Sequence, residues 1–282
     1  MKQIDTLAII GVGLIGGSAA RKVKELKLSK KVIGFGRRQS SLDKALASKT
    51  IDEATLSLDK ALRDADMVLI STPVSSIPAF LKECLRYCKK GCIITDAGST
   101  KKEIVSCADK IFGREIFFVG AHPMAGSEKR GFEFSKNNLF DDSICFITKS
   151  RKTDLKALKR VSEFWQVLGA KPVITTPEKH DKIVAEISHL PHVAAISLVN
   201  AVTDFNIKLA GNSFRDTTRV ASSDSNLWLD IFFSNKDNIV ESIDRFIDKL
   251  KIIKNSIKKG ERNKLKKIME KANLSRSNLI VK

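Results

Sequence analysis

A histidine stands in the stretch GAHPMAGSEKRG, residues 120–131, directly after the apolar run Ile116 to Val119. A neutral imidazole accepts a proton or a hydrogen bond near neutral pH, so His122 is the first candidate for chemistry. Pro123 fixes its own φ and restricts the residue before it, so the ring is expected on a stiff loop; a hydrogen-bonded loop cap is the plain alternative. Two other polar stretches each follow a short apolar run: Ser71-Thr72-Pro73, and Asp96-Ala97-Gly98-Ser99-Thr100-Lys101. Ser99 or Thr100 reads either as a site hydroxyl or as the N-cap of a helix from Lys101 to Ile111. Further on, SFRDTTRVASSDSNLW (213–228) sets Arg215 and Arg219 one turn apart, on one face if the segment is helical. Two such guanidiniums can clamp a dicarboxylate, whereas pairing with Asp216 or Asp224 at the surface explains the same spacing.

The elements that must carry these residues begin with GVGLIGGS, where Gly11, Gly13 and Gly16 spell GxGxxG between the strand Thr6 to Ile10 and a helix from Leu14 to about Leu26. In that setting the first glycine permits a tight turn, the second lets the backbone approach a pyrophosphate, and the third lets helix pack on strand. The helix N-terminus, at Leu14 and Ile15, faces the phosphate charge. Ser71, Thr72 and Pro73 are expected beside the same dinucleotide. After the second strand, Lys31 to Phe35, the chain reads Gly36-Arg37-Arg38-Gln39-Ser40, with no acid to take a ribose 2′-hydroxyl. Arg37 and Arg38 suit a 2′-phosphate instead, so NADP is preferred and NAD is the alternative. The plain alternative is that both arginines are solvated and start the next helix.

Strand-like and helix-like runs alternate up to a strand at Pro172 to Thr175, and after Thr176 only helical patterns remain. The expected fold is α/β: a Rossmann-type doubly wound parallel sheet over residues 1–175, then an all-helical domain over 176–282. Pro191, in SHLPH (188–192), is expected to break or kink the chain between two helical runs. His189 and His192 flank it, but without a third ligand they predict no metal site.

The chain has 282 residues, 43% of them hydrophobic, which suffices for a buried core. No uninterrupted apolar run reaches the roughly 18 residues of a membrane span, and the N-terminus reads straight into a strand, so the cytoplasm is expected. Cysteines 84, 88, 92, 107 and 145 are odd in number and scattered, which argues against a disulfide framework. The net charge of +18 is spread over the chain as lysine-rich faces rather than gathered in one block. That distribution reads as a solvated surface; its field would also draw in anionic small molecules, so charge alone does not separate an enzyme from a nucleic-acid binder.

GVGLIGGS, STPV, DAGSTK and GAHPMAGSEKRGF, followed by SHLPH and FRDTTRVASSDSNLW, resemble in order and separation the prephenate and arogenate dehydrogenase family. The resemblance runs from about Leu7 to Trp228. It implies oxidative decarboxylation of a cyclohexadienyl substrate with a nicotinamide cofactor, and a homodimer formed through the helical domain. By resemblance His122 matches the catalytic histidine and Ser99 an active-site serine. Arg219 matches the arginine that grips substrate, and His189 and Glu128 match pocket residues, with Arg215 and Trp228 as neighbours. The alternatives are a β-hydroxyacid-type dehydrogenase and a non-catalytic, nicotinamide-sensing binding protein.

Overall fold

The computed structural model describes residues 2–127 and 129–278. In chain order the first half gives β1 (Ile4–Ile10), α1 (Leu14–Glu25), β2 (Ser29–Phe35), α2 (Gln39–Ala47), β3 (Glu53–Thr55), α3 (Leu58–Leu62) and β4 (Met67–Ile70). There follow α4 (Ile77–Tyr87), β5 (Ile93–Asp96), α5 (Lys102–Ile111), β6 (Phe117–Pro123), β7 (Ile144–Thr148), α6 (Leu155–Val167) and β8 (Lys171–Thr175). All eight strands form one sheet in the order β3-β2-β1-β4-β5-β6-β7-β8. Every neighbouring pair is parallel except β6 and β7.

Helices cover both faces of the sheet, which is why its central strands read as unbroken apolar runs. Leu7 and Ile9 of β1 pack with Leu69, Phe164 and Trp165 on one face, while Ala8 and Ile10 pack with Val68, Ile70 and Leu81 on the other. Each fully buried side chain of this size contributes about 1.5–3 kcal/mol relative to exposure. The sheet is thereby a rigid platform, and the ends of β1, β4, β5 and β6 are held in a fixed relation.

Two backbone expectations are corrected. His122 and Pro123 lie inside β6 rather than on a loop after it, because β7 runs antiparallel beside β6 and pairs Gly120 to Pro123 with Cys145 to Thr148. The parallel partner β5 reaches only to Val119, so β7 alone holds the histidine in extended conformation. Pro123 is tolerated because it is the last strand residue. The short strand β3 was not foreseen. It is a three-residue polar edge paired with the end of β2, and no apolar run announces it.

The second half is helical: α7 (Pro177–Val184), α8 (Leu190–Asn200), α9 (Asp204–Ile207), α10 (Asn212–Thr218), α11 (Ser225–Ser234), α12 (Lys236–Lys258) and α13 (Arg262–Ser277). Pro191 does not break the chain. A π-helical turn, Ala185–His189, joins α7 to α8, and its wider winding accommodates the missing N–H of the proline. The uninterrupted run Pro177–Asn200 is, by length and composition alone, long and apolar enough to cross a membrane. It nevertheless carries Lys179, Asp181, Lys182 and Glu186, with Asp181 buried. By packing, the chain divides into two compact units, one ending at Lys236 and the other starting at Asp237. In the second unit α12 and α13 leave Val240, Ile247, Leu250, Ile257 and Met269 exposed.

Candidate active site

The dinucleotide fingerprint is built as its spacing predicts. Gly11 has φ +95°, and an added Cβ would stand 2.7 Å from the Ser71 carbonyl oxygen. Gly16 packs so closely on the Gly11 carbonyl, Ser71 and Ile9 that no side chain fits, which seats α1 on the sheet. A Cβ on Gly13, by contrast, would meet nothing within 4 Å. The N-terminus of α1 therefore opens into free space, with no side chain capping it and no acid in its first turn. A groove of about 600 Å³ runs from Gly11 and Gly13 past Ser71, Thr72 and Pro73 to Arg37, Arg38 and Ser41. Open backbone, a helix dipole and two arginines along one groove fit the phosphates of a dinucleotide.

The groove shares Gly13 and Ser71 to Pro73 with a cleft of about 380 Å³, lined also by Leu14, Ile15, Ser99, His122, Ser127, Arg130 and Trp228. His122 and Ser99 thus reach one cavity, although they are 23 positions apart (122 − 99) in the chain. Ser99 is not the cap of α5, and neither is Thr100. That task falls to Asp181 of α7, whose Oδ1 and Oδ2 accept the backbone N–H groups of Lys101 and Lys102 at 2.7 and 2.9 Å. Beneath the loop, the Asp96 carboxylate accepts from the Gly98 and Ala121 N–H groups at 2.9 and 3.1 Å and pairs with the ammonium of Lys101. Both side chains of that ion pair are fully buried, and together they tie the loop after β5 to the residue preceding His122.

His122 is 8% exposed; its Nδ1 lies 2.9 Å from Nε2 of His180, and Nδ1 of His180 lies 2.7 Å from Oδ1 of Asp181. Burial holds the His122 imidazole well below the usual histidine range, with His180, Lys101 and His189 adding in the same direction. Burial likewise lowers His180, against the hydrogen bond it donates to Asp181, which raises it. Both rings are therefore neutral at pH 7. The part played by His180 and Asp181 was missed in the sequence. The available signal was slight: an HD pair one turn into a helix opened by Pro177, and one of only four histidines.

His189 is buried, and its Nδ1 takes a hydrogen bond from the Asn235 amide at 3.2 Å; its Nε2 is buried without a partner. Burial lowers its pKa to about 4. His192 donates from Nδ1 to the Ser188 carbonyl at 3.0 Å and stacks on Trp228 with ring centroids 3.4 Å apart. Trp228 also lines the cleft. Arg215 lies in the last turn of α10 and Arg219 opens a 3-10 turn, Arg219–Ser222; both are exposed, and neither lines the cleft. Glu128 lies outside the described residues. Arg130 and Asp224, both lining the cleft, pair at 2.6 Å and join the two motif stretches, which spacing had not suggested. Among the described residues no group of His, Cys, Asp or Glu is arranged to hold a metal ion.

Comparison with known proteins converges on one family. A model described as the nucleotide-binding domain of prephenate dehydrogenase matches residues 19–174, and one described as its dimerization domain matches 176–271. The prephenate dehydrogenase of Bacillus subtilis (strain 168) is 34% identical over 268 residues, covering 93% of this chain and 72% of that one. The cyclohexadienyl dehydrogenase of Zymomonas mobilis is 32% identical over 264 residues, covering 91% and 90%. The crystal structure of prephenate dehydrogenase from A. aeolicus, in complex with hydroxyphenyl propionate and NAD+, superposes with a TM-score of 0.92 at 32% identity, covering 98% of each chain. With a nucleotide groove, a histidine-lined cleft beside it and this extent of similarity, the chain belongs to the prephenate and arogenate dehydrogenase family of NAD(P)-dependent oxidoreductases.

Proposed function

We propose that this chain oxidatively decarboxylates prephenate or arogenate, giving 4-hydroxyphenylpyruvate or tyrosine. The observation that carries the reading is a neutral histidine, His122, opening into the cleft that continues the dinucleotide groove. The bound nicotinamide supplies the hydride acceptor. His122 accepts a hydrogen bond from the hydroxyl on the ring carbon that loses hydride, raising electron density there. The bond to the ring carboxylate breaks, carbon dioxide leaves, and its electron pair completes the aromatic ring. Ser99 orients the hydroxyl or the histidine. Arg219 is assigned to a substrate carboxylate, with Arg215, His189 and Trp228 as its neighbours and Glu128 as an acidic pocket residue by resemblance alone, and fixing that pose contributes several kcal/mol to lowering the barrier.

The finer cofactor choice is NADP, supported by Arg37 and Arg38 along the groove and by the absence of an acid after β2. A homodimer is supported by the description of the second family model and by the exposed Ile187, Phe205, Leu209 and Phe233 in the helical segment. Exposed apolar side chains of this size suit burial by a partner. The domain boundary follows the end of strand content, at residue 175, and the location is the cytoplasm. The deciding experiment offers prephenate and arogenate, each with NAD+ and NADP+, to purified protein and follows absorbance of the reduced cofactor. Turnover with NADP+ and either substrate is expected. Silence in all four combinations, with cofactor shown to bind, overturns the reading.

A further inference from the structure

Hydrogen bonds in series lead from the first turn of α5 to the ring of His122. Backbone N–H groups only donate, so the 2.7 and 2.9 Å contacts from Lys101 and Lys102 make acceptors of both Asp181 oxygens. The hydrogen in the 2.7 Å contact between Asp181 Oδ1 and His180 therefore sits on Nδ1 of His180. A neutral imidazole carries one N–H, so Nε2 of His180 is a lone pair. It can only accept, and the 2.9 Å contact to His122 is then filled by a hydrogen on His122 Nδ1. His122, neutral too, is left with a bare Nε2, the ring nitrogen that remains for the cleft it lines.

We propose that His180 and Asp181 are positioning residues that lock His122 in its Nδ1–H tautomer, so that its Nε2 lone pair faces the substrate hydroxyl. The inference rests on the reading of His122 as hydrogen-bond acceptor and supplies what that reading lacks. In the other tautomer Nε2 carries hydrogen and donates to the hydroxyl, drawing electron density away from the carbon that must release hydride. The tautomer thus sets the sign of the polarisation.

Three features make the relay rigid. His180 is fully buried and Asp181 is 1% exposed, so water does not compete for their hydrogen bonds. Phe146, paired with His122 across β6 and β7, packs edge-on against the His180 ring at 5.3 Å between centroids. The Asn235 amide holds the Asp181 backbone carbonyl at 2.8 Å. An imidazolium at His180 would reverse the chain, and both its burial and the nearby Lys101 ammonium oppose that charge.

The test reads the tautomer directly and then its kinetic effect. With histidine labelled in both ring nitrogens, nitrogen NMR of the full chain resolves four histidines, assigned through single variants. His122 is expected with hydrogen on Nδ1 and none on Nε2; hydrogen on Nε2 in the wild type overturns the proposal. His180→Phe removes the acceptor while Asp181 keeps its two backbone donors. It is expected to bring the other tautomer into the spectrum and to lower kcat at least 10-fold, with KM and cofactor Kd within twofold. His180→Gln offers an amide oxygen near the former Nε2 and should recover most of that loss. If His180→Phe holds kcat within twofold, or if Phe and Gln variants of equal thermal midpoint lose it equally, the positioning role is wrong. Failure of the underlying reading looks different: the wild-type tautomer is as stated, yet neither substrate turns over.

Discussion

The His122–His180–Asp181 relay and the Arg215–Arg219 pair stand in opposite conditions within one compact unit. The relay is buried, each group has a directed partner within 2.9 Å, and its members come from β6 and the first turns of α7. The arginines are exposed on a short helix and the 3-10 turn after it, outside the cleft lining. The contrast teaches where each kind of work belongs. Polarising a hydroxyl needs one nitrogen, in one tautomer, at one place, and a sheet end supplies that rigidity. Gripping a carboxylate needs charge on a long side chain, which an exposed segment can present to a ligand.

Substitutions at the relay and at the arginines should fail in different kinetic parameters. The largest effect is expected at the relay: His122→Asn lowers kcat by about 10²–10⁴, the usual worth of a positioned acid or base, and leaves cofactor affinity unchanged by titration. Normal turnover in that variant removes His122 from the mechanism. Arg219→Ala should instead raise KM for substrate by about 10-fold or more with a smaller change in kcat, since losing a charge-assisted hydrogen bond costs about 1.5–3 kcal/mol. A pure kcat defect would place it with the relay and erase the distinction.

The buried pair beneath the cleft predicts stability rather than rate. Lys101→Met leaves the Asp96 carboxylate buried without its partner, and chemical denaturation should show a loss of about 3–5 kcal/mol. A loss under 1 kcal/mol would mean that the Gly98 and Ala121 amides alone satisfy Asp96. The histidines add a pH dependence. Their folded-state pKa values lie below the ordinary 6.5, His189 at about 4. Below pH 6.5 the unfolded chain therefore binds more protons, and stability falls as pH drops from 6.5 towards 4, by up to about 1.4 kcal/mol per pH unit for each such group. Above 6.5 the slope fades within about one pH unit, as the unfolded histidines lose their protons too. For the same reason the acid limb of kcat/KM should lie well below 6.5, and a limb at 6.5 would mean an exposed His122. At the groove, replacing Arg37 with Asp and Arg38 with Asn should shift the ratio of NADP to NAD efficiency towards NAD by about 10–100-fold, each lost contact being worth about 1 kcal/mol. An unchanged ratio removes the 2′-phosphate argument.

Much of the molecule was legible in the chain because its signals are local. GxGxxG between a strand and a helix, apolar runs of strand length, and polar residues following each run are all set by neighbours a few positions apart. They established the α/β class, the groove and the candidacy of His122. Local reading failed where a distant partner decides. Asp181 caps α5 from 80 residues away (181 − 101) and leaves Ser99 without that role, and β7 turns the expected loop at His122 into a strand. A π turn absorbs Pro191, although no spacing rule announces it.

Composition and order alone determined which residues could do chemistry here: an imidazole, hydroxyls, guanidiniums and a glycine-lined helix start. Only the tertiary structure decided which ring nitrogen of His122 is bound and which is left for the cleft. That choice depends on directed hydrogen bonds through His180 to Asp181, and in water, before folding, both tautomers of every histidine are available.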